Sequence, residues 1–263
     1  ISYWDILISA VNSSLFYYNS ITQEYLGKDN LTSLCSCIKS NVFDPKVIYD
    51  PIQDKFIFVF LKESSAAQNK IFLGFSISNN PLDGWNIYTI EGNPNNTNQW
   101  SDYPAISITD EELFITVNLL EENTSWQTGF QETIIWQINK TDGYSNTTLN
   151  TLLWKDIKEN NLNIRNLHPV RNYNHYISNN PINNLSISNQ YFLSNRNFAT
   201  ESDSIYLVEI DNSIVNSPNM SITLIQSADK YYLSPNADQS NGLQLATNDS
   251  RILGGVINRG VDQ

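Results

Sequence analysis

The chain has 263 residues, 40% of them hydrophobic and 12% aromatic, which is ample apolar material for a core and excludes a disordered chain. Its net charge of −12 and pI near 4.5 argue against a nucleic-acid binder, which normally presents a basic face, and against docking on anionic lipid. No apolar run reaches the ~18 residues that a membrane-spanning helix needs.

Short strand-like runs alternate with turn clusters from end to end, and helical periodicity is almost absent. Asp5 to Val11 and Ser14 to Tyr18 read as strands of a round whose opening is missing. Cys35 and Cys37 follow. Two cysteines are too few for a disulfide framework or a structural zinc site, so they read as two thiols beside a loop. From Asp44 the pattern is clearest. Strands are expected at Asp44–Asp50, Lys55–Leu61, Lys70–Ser78 and Trp85–Ile90. The second of these is apolar on both faces and should be covered on both sides. The turn Asn79-Asn80-Pro81-Leu82-Asp83-Gly84 separates the last two.

The pattern recurs at Ser101–Ile108, Glu112–Asn118, Thr133–Ile138 and Leu149–Trp154. A third round opens at Leu167-His168-Pro169-Val170 and continues through Gln190–Leu193, Ser204–Ile210 and Met220–Gln226. A last, truncated round is placed at Leu243–Ala246 and Arg251–Asn258. The Asn-rich segment 174–189, with His175, reads as a long loop. Four hairpin-linked strands in about 50 residues match the size of a propeller blade. The expected fold is therefore an all-β β-propeller of four-stranded antiparallel blades. Four to five blades are covered, with boundaries near 1–40, 44–92, 101–156, 166–227 and 241–263. The two partial ends either share one blade or belong to a longer propeller, and the second reading is favoured.

The order of motifs resembles a family of secreted and cell-surface bacterial propeller proteins common in Bacteroidetes. The residues that carry it are Leu15-Phe16-Tyr17-Tyr18, Asp44-Pro45-Lys46-Val47-Ile48-Tyr49-Asp50, Gly74 through Tyr88, Asp102-Tyr103-Pro104 and Asn248-Asp249-Ser250-Arg251-Ile252. The resemblance is specific in the first half and thin across 140–235. It implies a secreted or surface protein, often part of a larger surface assembly, with no catalytic activity to carry over. The turn Ser78–Trp85 also resembles a degenerate Asp-box, a hairpin device of sialidase-type propellers with a folding role.

If first strands line a central channel, Asp44, Asp102 and His168 take equivalent places at its mouth, with Asp249 less securely placed. Paired carboxylates there could work as general acid and base on a glycoside, or hold calcium with backbone carbonyls. Satisfying backbone donors beside a proline is the blander role and the favoured one. No metal ligand set is assigned, and calcium is the only cofactor entertained. Trp100, Tyr103, Trp126 and Trp136 could stack on sugar, although packing is the commoner role of such rings. Trp100 and Trp126 lie in loop-like contexts and are the better surface candidates. The function expected is a non-enzymatic extracellular binding module that takes a protein or glycan at the propeller face. The alternative is a glycan hydrolase using Asp44 and Asp102.

Overall fold

The computed structural model describes residues 5–172 and 189–257. The first sheet holds β1 (Ile6–Val11), β2 (Ser14–Asn19) and β3 (Tyr25–Asn30), in that order. A short helix, α1 (Leu31–Leu34), leads to Cys35 and Cys37, which form a disulfide instead of the two free thiols expected. The second sheet is a meander of β4 (Val42–Asp50), β5 (Lys55–Lys62), β6 (Lys70–Ser76) and β7 (Trp85–Glu91). The third repeats that order with β8 (Gln99–Ile108), β9 (Glu112–Glu121), β10 (Phe130–Asn139) and, after helix α2 (Lys140–Tyr144), β11 (Thr151–Trp154). A ladder of β12 (Lys158–Glu159) and β13 (Leu162–Asn163) follows. Then come β14 (His168–Pro169) and β15 (Arg171–Asn172). The fourth sheet pairs β14 with β16 (Gln190–Asn195), β17 (Glu201–Ile210) and β18 (Met220–Tyr232). Short strands β19 (Ala237–Asp238) and β20 (Gln244–Leu245) pair with each other, and β21 (Val256–Ile257) runs parallel to β15.

The all-β character holds, but the β-propeller does not. Among the described residues the sheets are separate and small, and none closes on itself or joins a ring. The round expected at 241–263 is the clearest departure. Its strands give one two-residue hairpin and one two-residue parallel ladder. The physical reason is the absence of a buriable stripe: Leu243, Leu245, Leu253 and Val256 are all largely exposed, and a sheet that buries no face is not stable in water. The loop expected at 174–189 lies, but for Asn189, outside the described residues, as does His175.

Alternation builds the core between neighbouring sheets. Along β5, Phe56, Phe58 and Phe60 pack toward the first sheet against Leu15, Tyr17 and Leu31. Ile57, Val59 and Leu61 point the other way, into a cluster shared with Ile115, Val117 and Ile134 of the third sheet. A strand with both faces covered is apolar throughout, and burial from Phe56 to Leu61 is complete or nearly so. Phe114 and Ile135 then carry the third sheet against Phe192, Val208 and Ile210 of the fourth.

Polar clips tie these layers. Trp85 packs edge-on against Phe58 with ring centroids 4.8 Å apart, and its indole N–H donates to the Tyr17 hydroxyl at 3.2 Å. Its hairpin is closed by Ser78, whose hydroxyl donates to Asp83 at 2.5 Å, and by Asn80, whose side chain accepts from Leu82 N. Gly84, at φ 112°, occupies a conformation that favours glycine. Buried Asn69 accepts from Ser101 N at 2.8 Å and donates to the Lys62 and Glu63 carbonyls, joining the second sheet to the third. A fully buried Lys140–Asp50 ion pair at 2.7 Å does the same from α2.

Candidate functional site

Prolines shape the first strands. Pro45 and Pro104 have no N–H to give the ladder, and proline inside a sheet is confined to edges and bulges. Pairing of β4 with β5 breaks between Phe43 and Lys46, and that of β8 with β9 between Asp102 and Ala105. The residue before each proline takes the left-handed conformation, Asp44 at φ 52° and Tyr103 at φ 54°. A tyrosine at positive φ is costly and persists only where its surroundings hold it.

This corrects the expected equivalence of the carboxylates. Asp44 matches Tyr103 in the bulge, whereas Asp102 matches Phe43, the last paired residue before it. In the fourth sheet the positive φ falls at Asn166, two residues ahead of His168, and His168 pairs with Leu193 without a bulge. Asp44, Asp102 and His168 are therefore not a ring of equivalent positions.

Asp102 is half-buried, and burial pushes its carboxyl up. The nearby Asp44 charge adds to that, while the Tyr103 backbone N–H and the charges of Arg251 and Arg165 oppose it. Burial likewise acts to raise Asp249, but bonds from Arg251 and Asn197 outweigh it and hold the carboxyl below its usual range. Arg251 reaches Asp249 through Nε at 2.8 Å and Nη2 at 2.7 Å, and Asn197 donates at 2.8 Å. The two guanidiniums lie among aromatic rings. Arg251 sits 4.7 Å from the Tyr103 ring and 5.1 Å from Trp126. Arg165 sits 4.7 Å from Phe198 and 5.0 Å from Phe130, and it donates to the Trp126 and Gln127 carbonyls. Burial and the charge of Arg251 lower the Arg165 pKa to about 10, so it stays a cation at neutral pH. These contacts are cation–π interactions in a partly desolvated setting, where they are at their strongest.

The tryptophans divide. Trp126 belongs to the arginine cluster and lies 5.8 Å from the Phe198 ring. Trp100 is half-buried and packs edge-on against Phe43 at 6.2 Å. Trp136 packs on the core between the second and third sheets.

Beside this cluster, β4 lies against β8, and β8 against β14 and β15. An open pocket of about 640 Å³ lies among them, walled by Lys46, Tyr103, Ala105, His168, Arg171 and Gly255, with other residues of 46–47, 103–106 and 253–256. Arg171 N donates to the Gly255 carbonyl at 2.9 Å, which fixes the C-terminal segment as one wall. Burial and the charges of Arg171 and Lys46 lower the His168 pKa, so its ring is neutral at pH 7. Its Nδ1 is buried and has no hydrogen-bond partner among the described residues. No group of three or more His, Cys, Asp or Glu side chains suited to a metal occurs among the described residues. Nor does any helix there have the length and apolarity to cross a membrane.

Of the residues expected from sequence, Asp44, Asp102 and Tyr103 come together, and Tyr103 also joins His168 at the pocket wall. Arg165, Arg171, Arg251 and Phe198 are added by the structure. One signal for them was present: the chain's five arginines all lie after residue 160.

Fold and site together define an all-β protein of small, mostly antiparallel sheets whose first strands border an open pocket. No protein-family model matches the chain, and no curated protein is similar to it. The resemblance to secreted propeller proteins therefore gains nothing from either comparison. Among solved structures the chain is similar to the complex of the fission yeast SREBP–SCAP binding domains, at 12% identity and a TM-score of 0.31, over 94% of this chain and 76% of that one. A likeness at that score carries no argument about fold or function.

Proposed function

We propose that the chain is a non-enzymatic extracellular binding module whose ligand sits in the pocket bordered by β4, β8, β14 and β15. The pocket itself carries the reading. At about 640 Å³ it falls within the range of small-molecule sites, so it suits one or two sugar units of a glycan better than a protein surface. Its wall mixes apolar positions such as Val47 and Ile106 with a few polar groups, as such sites do. The Cys35–Cys37 disulfide favours an oxidising compartment.

Hydrolysis has weaker support. Asp249 is consumed by Arg251 and Asn197, and neither Asp44 nor Asp102 is among the described residues that line the pocket. Binding to arrayed glycans tests the reading, with Val256→Trp as the control because Val256 is a largely exposed part of the wall. The expected result is a glycan bound by the wild type and lost in the variant at unchanged thermal stability. Binding that survives in Val256→Trp, or no glycan bound at all, refutes it.

A further inference from the structure

In a chain of net charge −12, this pocket has two cations in its wall, Lys46 from β4 and Arg171 from β15, beside the His168 ring of β14, and no Asp or Glu is among its described lining residues. The side chains of Lys46 and Arg171 have neither an ion pair nor a hydrogen bond among the described residues. Elsewhere the site spends its positive charge on partners: Arg251 on Asp249, and Arg165 on the Trp126 and Gln127 carbonyls. The orphaned His168 Nδ1 is a second, independent anomaly, since a buried polar atom left unpaired costs free energy and nearly always has a partner. Two uncompensated cations beside one unpaired ring nitrogen make a mould for a negatively charged acceptor.

We infer that this pocket binds its ligand through an oxyanion, a carboxylate or a phosphate, received by Lys46, Arg171 and His168. The inference rests on the binding-module reading above and names the chemistry of its ligand. Arg171 and Lys46 supply the charge, and His168 donates from Nδ1–H to an anion oxygen. The apolar wall at Val47, Ile106 and Val256 takes the uncharged remainder. The groups facing His168 are Arg171 and Lys46, both cationic, with Tyr103 in the same wall. A bound anion reverses their effect and favours the protonated imidazole, so binding should tighten as pH falls.

The full chain is titrated with glucuronate, inorganic phosphate and glucose while the imidazole NMR signals are followed. His168 and His175 are the two histidines, and His168→Gln assigns them. Glucuronate or phosphate should shift the His168 signal and raise its pKa, with an affinity that falls in high salt. Lys46→Gln and Arg171→Gln should each weaken it about tenfold or more, as loss of a charge-assisted hydrogen bond does. Arg171 is exposed and Lys46 half-exposed, so both variants should melt with the wild type. A response to glucuronate alone identifies an acidic sugar, and one to phosphate alone a phosphate ester; either supports the inference. Glucose binding as tightly as glucuronate, indifferent to both variants, overturns the inference and leaves the binding-module reading standing. If neither anion moves His168 the inference is also overturned, and the glycan array with Val256→Trp decides the broader reading separately.

Discussion

Breaking the Lys140–Asp50 pair should be among the most damaging single changes available in this chain. Both side chains are buried almost completely, with Nζ 2.7 Å from Asp50 Oδ2. Lys140 also donates to the Thr109 carbonyl at 2.8 Å, and Asp50 accepts from the Tyr144 hydroxyl at 3.1 Å and Ile52 N at 3.1 Å. Burial lowers the Lys140 pKa, while the Asp50 charge and hydrogen bond pull it back up. Lys140→Met keeps the length of the side chain but leaves Asp50 a buried carboxylate with neutral donors only, and orphans the Thr109 carbonyl. Asp50→Asn leaves the opposite charge uncompensated. Removing one member of a buried pair costs about 3–5 kcal/mol, or a fall in Tm of about 6–20 °C for a domain of this size. Urea unfolding followed by tryptophan fluorescence measures both, since the midpoint shifts at constant slope. The double variant Lys140→Met/Asp50→Asn should cost well under the sum, with a coupling of about 2 kcal/mol or more. Single-variant losses under about 1 kcal/mol, or strictly additive costs, would refute the view that this pair clips α2 to the β4–β5 hairpin.

Two further outcomes follow from buried chemistry. Burial pushes the Glu112 carboxyl up from its ordinary 4.5 to about 7, against a partly offsetting bond from Ile214 N. A folded-state pKa above the unfolded one means that Glu112 favours the native state at low pH. That advantage is lost as pH rises through 4.5 to about 7, at a total of about 3 kcal/mol. Wild type should therefore lose stability relative to Glu112→Gln between about pH 5 and about pH 8 in urea titrations, and a pH-independent difference would contradict it. Reducing the Cys35–Cys37 disulfide should cost no more than about 1.5 kcal/mol, because the loop it closes is so short. A larger fall in midpoint on adding dithiothreitol would show that α1 and the first sheet depend on it.

How far the fold was legible depended on whether a strand has one buried face or two. Phe56 to Leu61 announces itself because every position is apolar, and only a strand sandwiched between sheets needs that. The observed β5, Lys55–Lys62, is nearly the strand expected. The same holds for Lys70–Ser76 and Trp85–Glu91. Beyond residue 233 the sequence offers scattered leucines with no alternation, and repeat logic carried the expectation of a further round where local chemistry could not support one. Ring closure is a long-range property. It depends on whether the last strands find the first sheet, and nothing in the spacing of Leu243, Leu245 and Val256 decides that.

The site was legible where one residue dictates its own backbone and illegible where it depends on distant partners. Matching Asp44-Pro45 to Asp102-Tyr103-Pro104 on the aspartates gave a carboxylate pair. Matching on the prolines would have set Asp44 against Tyr103, because in both of these strands the break in pairing falls at the proline, which has no N–H for the ladder. The backbone requirement outranks the side-chain likeness, so proline was the better anchor. Arg251 reaches Tyr103 across 148 positions and Trp126 across 125 (251 − 103 and 251 − 126), separations that no local pattern encodes. Composition was nonetheless informative. In a chain this acidic, arginines confined to the last 100 or so residues mark where positive charge is needed, and three of the five stand at the pocket or the cluster beside it. Two of the four aromatic residues expected as a sugar platform, Tyr103 and Trp126, are partners of those arginines, and Trp100 and Trp136 are packing residues, which turns the question of ligand chemistry from stacking toward charge.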